Sequence, residues 1–157
     1  MHGTVVARSA GRWPGQCLAF VVGGQPYAVP ILVVQEIRRY SEPTVLPGVP
    51  PHVLGVINLR GTVVPVFDLR LRFGVGSAVF DRVTVTIIVV VGGRYVGIVA
   101  DEVSKVMAPE ASAYREGPEL ASHIDVSFVL GLVQDGNALV TLIDVEKLLL
   151  PELGSLE

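Results

Sequence analysis

The hydrophobic residues of this chain fall in short runs broken by glycine and proline, and the longest run is Val83-Thr-Val-Thr-Ile-Ile-Val-Val-Val91. It is about half the length a membrane-spanning helix needs and is rich in β-branched residues, so it predicts a strand buried on both faces. In the stretch from Thr62 to Phe67, Thr62, Val64 and Val66 alternate with Val63, Pro65 and Phe67, the period of a strand. Pro65 has no N–H for a ladder and marks an edge or a bulge. Gly23-Gly24 and Gly92-Gly93 read as hairpin turns, and Gln134-Asp-Gly-Asn137 carries the Asp-Gly signal of a tight turn. Leu59-Arg60-Gly61 turns as well, with Gly61 supplying the permissive backbone and Arg60 projecting into solvent.

A shift of 76 positions lays Val53–Leu69 without a gap on Val129–Val145, and Val53, Leu54, Gly55, Val64 and Asp68 meet the same residue types at Val129, Leu130, Gly131, Val140 and Asp144. Tyr27–Arg38 resembles the stretch from Tyr95 once two residues are gapped. The pattern predicts an internal duplication. Asp68 and Asp144 each stand before a short Leu-rich segment, Leu69–Phe73 and Val145–Leu150, where a carboxylate takes up free N–H groups as a helix N-cap.

Half of the 157 residues are hydrophobic, with 17 Gly and 11 Pro, which fits a mainly β chain of many short strands and tight turns. Cys17 is the single cysteine, so no disulfide framework is available, and residues 1–14 lack the apolar stretch of a signal peptide. A cytoplasmic protein is expected. The net charge of -3 is uneven: residues 1–80 hold seven Arg against three acids, and residues 81–157 hold five basic residues against twelve acids. The arginines are scattered and aromatic residues are few, which argues against nucleic acid as a partner.

Catalytic patterns are absent from the sequence. His2, His52 and His123 share no ligand spacing with one another or with Cys17, so no metal and no cofactor are expected. No phosphate-binding loop and no Gly-x-Ser-x-Gly elbow occurs. Two related aspartates in a duplicated β protein invite comparison with an aspartic-protease dyad, but each enters a helical segment rather than a Gly-rich loop. Glu36, a charge among apolar neighbours, fits either a solvated face or the rim of an interface.

Three segments in this order, Val33-Val-Gln-Glu-Ile-Arg38, Gly55-Val-Ile-Asn-Leu-Arg-Gly-Thr-Val-Val-Pro-Val-Phe-Asp-Leu-Arg70 and Val96-Gly-Ile-Val-Ala-Asp-Glu-Val103, closely resemble the CheW-like family of bacterial chemotaxis coupling proteins. The likeness runs from about Gln16 to Leu150, and the Asn-Leu-Arg-Gly hairpin is its most specific signature. The resemblance implies two SH3-like five-stranded β-barrels sharing a hydrophobic core, with short helical segments. The expected layout is a flexible segment 1–14 and one domain over 15–153, its sub-barrels spanning about 26–80 and 15–25 plus 81–150.

It also implies a non-catalytic adaptor linking the cytoplasmic tips of chemoreceptors to the histidine kinase CheA, without direct insertion into the membrane. Ile31, Val34, Glu36, Ile37, Arg60, Val96, Gly97 and Val103 would meet the receptor in a groove between the barrels. Pro43, Leu54 and Gly55 would face the CheW-like regulatory domain of CheA. Arg39-Tyr40 stands where many relatives have Gly-Tyr, which adds bulk and charge beside the receptor surface. Two other readings are a coupling protein of a parallel pathway such as surface motility, and a small β-barrel hydrolase using Asp68 or Asp144.

Overall fold

The structure is a computed structural model that describes residues 15–75, 79–116 and 126–156; the expected flexible segment 1–14 lies outside them. The two Gly-Gly pairs, all four residues at positive φ, close the hairpins β1 (Cys17–Val22) to β2 (Gln25–Pro30) and β6 (Val85–Val91) to β7 (Arg94–Ala100). Each hairpin is followed by one more strand, β3 (Val34–Arg39) or β8 (Glu102–Met107). The related segments then form β4 (Val53–Leu59), β5 (Thr62–Asp68) and α1 (Leu69–Phe73), and β10 (Val129–Asp135), β11 (Ala138–Ile143) and α2 (Val145–Ser155). A short β9 (Tyr114–Glu116) pairs with β10, and Thr44 makes the corresponding single bridge to Val56 on β4.

The repeat is visible in the ladders. β4–β5 and β10–β11 are antiparallel with matching bulges, at Val53/Gly55 and Val129/Gly131. The Asp68 N–H donates to the His52 carbonyl at 2.8 Å, and the Asp144 N–H to the Phe128 carbonyl at 2.9 Å, 76 residues on in both partners. The upstream strands repeat at an offset of 69: Glu36 lies opposite Ile88 and Val34 opposite Val89 across a bulge, as Lys105 lies opposite Ala19 and Val103 opposite Phe20. β2 and β7 confirm this offset, since Ala28 pairs in parallel with Leu142 and Gly97 with Val66. Tyr27 therefore corresponds to Val96, and the match of Tyr27 with Tyr95 was one residue out of register.

The strands form two sheets, in the orders β3-β6-β7-β5-β4 and β8-β1-β2-β11-β10-β9. Each hairpin passes its third strand to the other lobe: β3 leaves β1–β2 to pair with β6, and β8 leaves β6–β7 to pair with β1. The lobes are thus built from β3 to β7, and from β1, β2 and β8 to β11, which moves β2 into the second and β6 and β7 into the first relative to the expected 26–80 and 15–25 plus 81–150. The run pattern locates strands but says nothing about which edge each strand joins.

Burial on both faces follows from this exchange. Leu18, Phe20 and Val22 on β1, Ile87, Val89 and Val91 on β6, and Leu148, Leu149 and Leu153 on α2 meet in one core shared by the two sheets. The alternate residues fill the separate lobe interiors, Cys17 and Ala19 with Leu142 and Val140 in one, and Ile88 with Leu59 and Val64 in the other. β6 begins at Val85, two residues after the start of the apolar run, and is buried as expected. Pro65 lies in a strand that is internal by order, yet the parallel β5–β7 ladder starts only at Val66, so its half of β5 is locally an edge.

Candidate functional site

The β4–β5 hairpin turns on two residues, Arg60 at φ 50 and Gly61 at φ 89, and positive φ at both central positions is the demand of a type I′ turn. The Asn58 carboxamide oxygen accepts a hydrogen bond from the Gly61 N–H at 2.8 Å, which holds the turn from within. In the repeat the position of Arg60 is taken by Gly136, at φ 61. Arg60 is the one non-glycine residue with positive φ among the described residues, in a conformation that brings its Cβ against the backbone.

What Arg60 gains there is an ion pair with Glu36, Nη2 to Oε1 at 2.5 Å, and Arg38 stands 4.0 Å from the other carboxylate oxygen. The Arg60 hydrogen bond and the two positive charges hold the Glu36 carboxyl below its usual pKa, and the reciprocal bond raises that of Arg60. The pair spans the open seam of its lobe, from β3 at one edge of the sheet to the hairpin at the other. Exposed apolar residues stand on the same elements: Ile37, next to Glu36 on β3 but on its opposite face, is 45% exposed, and Val63, three residues after Arg60, 65%. Ile31, Val34 and Val103 are half-buried against the shared core. A cation on a rigid tip, an acid fixed beside it and apolar neighbours make a surface suited to directional protein contact.

Val96 and Gly97 do not belong to that surface. Val96 is wholly buried in the shared core, and Gly97 is buried where a Cβ would stand 2.9 Å from Thr86 Cγ2. Both sit on β7, an internal strand that is covered on its two faces, so they support the site from beneath. Pro43 and Gly55 are likewise buried, and Leu54 is half-buried. Gly55, at φ 141, lets the chain at Thr44 cross β4 so closely that a Cβ would lie 2.0 Å from the Thr44 carbonyl oxygen. The residue this crossing displays is Val45, 73% exposed, which no pattern in the sequence singles out.

Asp68 caps α1 as expected, accepting from the Arg70 N–H at 2.9 Å, but it does more. Arg70 Nε and Nη2 donate to its two oxygens at 3.0 and 2.9 Å, while Nη1 reaches Asp101 at 3.2 Å and the Val79 carbonyl. Asp68 is fully buried and Arg70 almost so, with its guanidinium 4.9 Å from the centre of the Phe80 ring. Burial depresses the Arg70 pKa, yet the hydrogen bonds and charges of Asp68 and Asp101 outweigh it and the net direction is upward. Among the described residues Asp144 makes only the cap, to the N–H groups of Glu146 and Lys147 at 3.0 and 3.1 Å. Each aspartate caps its own helix, the role the sequence pattern led one to expect. A second network crosses the lobes: Glu152 on α2 accepts from Arg72 at 3.0 Å and pairs with His52 at 2.9 Å.

A family model described as CheW-like domain matches residues 16–151. The chain is 40% identical over 148 residues to the chemotaxis protein CheW of Klebsiella aerogenes, covering 94% of this chain and 89% of that one. It is 35% identical over 133 residues to the chemotaxis protein CheW of Bacillus subtilis, covering 84% and 85%. Among solved structures, the scaffolding protein TtCheW from Thermoanaerobacter tengcongensis matches with a TM-score of 0.78 at 30% identity, over 83% of this chain and 88% of that one.

Proposed function

This chain belongs to the CheW-like domain family, and on that premise we propose that it is a non-catalytic adaptor coupling chemoreceptors to the histidine kinase CheA. The observation that carries the reading is Arg60. Folding alone favours glycine at this turn, as the repeat shows at Gly136, and an arginine kept at φ 50 in its place has a use outside the fold. The Glu36–Arg60 pair with Ile37 and Val63 forms the receptor-facing surface, extended by Ile31, Val34 and Val103 toward the inter-lobe groove. Val45, held out by the close crossing at Gly55, forms the centre of a separate surface toward the kinase, together with Leu54.

The partners fit a protein that works at the membrane without entering it, and no helix among the described residues is long and apolar enough to cross one. The receptor tip and the CheW-like regulatory domain of CheA are the expected partners, met on the cytoplasmic side.

The decisive test separates fold from contact at one residue. Arg60→Gly relieves the backbone at φ 50 and is expected to melt at an equal or higher temperature than the parent, while binding of a receptor-tip fragment falls about thirtyfold, the scale of an interface hot spot. Arg60→Lys, which keeps the charge but loses the planar fork, should recover only part of the affinity. Unchanged affinity for both the receptor tip and the kinase domain in Arg60→Gly defeats the adaptor reading of this surface.

A further inference from the structure

The two internal offsets set the buried Arg70 centre against its counterpart on the other lobe. In the first, Arg70 bridges Asp68 and Asp101, and Asp101 also accepts from the Gly23 N–H at 2.8 Å. In the second, Asp144 keeps the place of Asp68 and Gly92 that of Gly23, while Glu146 stands for Arg70 and Leu32 for Asp101. Glu146 takes over the hairpin and accepts from the Gly92 N–H at 3.2 Å. One oxygen of Asp144 serves the cap, and the other has no partner among the described residues. Beside these two acids opens a cleft of about 250 Å³ with apolar walls of Pro30, Val33, Leu130 and Ile143, and no arginine or lysine lines it. Lys147, next in sequence, lines the adjoining groove with Leu150 and Pro151 instead.

We propose that this cleft binds an arginine side chain presented by a partner protein, with the guanidinium on Asp144 and Glu146 and the aliphatic stem along Val33 and Leu130. Carboxylates set on apolar walls attract a cation more strongly than carboxylates in open water, and the walls suit the methylene stem. The repeat supplies the precedent: at the corresponding position of the fold, a capping aspartate already holds a guanidinium by both oxygens, even though a helix N-terminus disfavours positive charge. Leu32, between Pro30 and Val33 in the same turn, is 88% exposed, and Leu150 in the adjoining groove 47%. The segment recognised is therefore basic and apolar, an arginine flanked by aliphatic residues, the anchor-and-rim arrangement of an interface hot spot. None of the residues assigned above to receptor or kinase lines the cleft, so the inference does not rest on the adaptor reading.

The test titrates the full-length, ¹⁵N-labelled chain with acetyl-Leu-Arg-Leu-amide and, separately, with its lysine counterpart, followed by NMR at low salt. Saturable shifts at the amides of Leu130, Asp144 and Val145 are expected with the arginine peptide, and binding about fivefold weaker or less with the lysine peptide, which lacks the planar fork. Asp144→Asn keeps a capping side chain and should melt like the parent, yet lower the affinity for the arginine peptide about tenfold. Shifts that do not saturate, that are equal for the two peptides, or that survive Asp144→Asn overturn the proposal. A rise in affinity on removal of residues 1–14 shows that the chain's own arginines take the cleft, and overturns it too. Binding of a receptor-tip fragment by Asp144→Asn is expected to stay at the parental value. Its loss would place the cleft within the receptor surface and overturn the assignment to a separate partner.

Discussion

Replacing Asp68 and Asp144 by alanine, one at a time, sets two related positions in different surroundings against each other. Both changes remove an N-cap, a loss of about 0.5–2 kcal/mol. At Asp144 that is the whole effect, because among the described residues its carboxylate serves only the N–H groups of Glu146 and Lys147. At Asp68 the change also strips a buried arginine of its bidentate partner, leaving Arg70 with Asp101 and one carbonyl in a site 3% exposed. Removing one member of a buried pair costs about 3–5 kcal/mol, since the remaining charge stays desolvated. Asp68→Ala should therefore lose about 3–5 kcal/mol or slightly more, which at roughly 2–4 °C per kcal/mol for a chain of this size lowers the melting temperature by about 6–20 °C. Urea titration of both variants, read by circular dichroism, gives the difference directly. The double variant Asp68→Ala/Arg70→Met supplies the internal check, because removing the orphaned charge should recover a good part of the loss. Equal losses in the two single variants, or a double variant less stable than Asp68→Ala, would refute the assignment of the extra cost to Arg70.

Three further outcomes follow from the geometry. Gly55→Ala places a methyl group 2.0 Å from the Thr44 carbonyl oxygen at φ 141, so it should cost more than about 2 kcal/mol and break the Thr44–Val56 bridge, visible as faster amide exchange at Thr44. Burial pushes the Cys17 thiol up to about 11 from its ordinary 9.0, so the folded state favours the protonated thiol: its contribution to stability is full below pH 9 and declines as pH rises toward 11. Urea midpoints across that range should fall by more in the parent than in Cys17→Ala, and iodoacetamide at pH 8 should label Cys17 only after unfolding. A fragment ending near residue 77 keeps β3, β4 and β5 but lacks β6 and β7, which separate β3 from β5 in the sheet, so it should show no cooperative melt, whereas the whole chain melts in one transition.

The strands, the turns and the helix caps were legible in the sequence because each rests on local chemistry: β-branched runs, positive-φ glycines, an aspartate before a leucine-rich segment. The Arg60 tip was legible for the same reason, though its backbone at φ 50 and its reach to Glu36 were not. What escaped was non-local. Val96 and Gly97 read as surface residues until the strand order placed β7 inside its sheet. Arg70 looks like any helix-surface arginine, and only the approach of Asp101 and the Val79 carbonyl makes it a buried centre. Val45 becomes prominent through a chain crossing that Gly55 permits, a long-range event with no periodic signature.

The exchange of third strands between the lobes also fixes an order of events on the ribosome. The sheet of β3 to β7 is complete in sequence once residue 100 has emerged, but β1 and β2, made first, pair with β8 and β11, and Tyr27 finds Thr141 more than a hundred residues later. The earliest hairpin is thus the last to be enclosed, and its apolar face of Leu18, Phe20 and Val22 waits uncovered for most of synthesis. Such distant pairings raise the contact order, which slows folding and lengthens the time during which a nascent edge can capture a neighbour. The cellular yield of this protein should therefore respond more to chaperone supply and to translation speed over β8–β11 than its equilibrium stability alone would suggest.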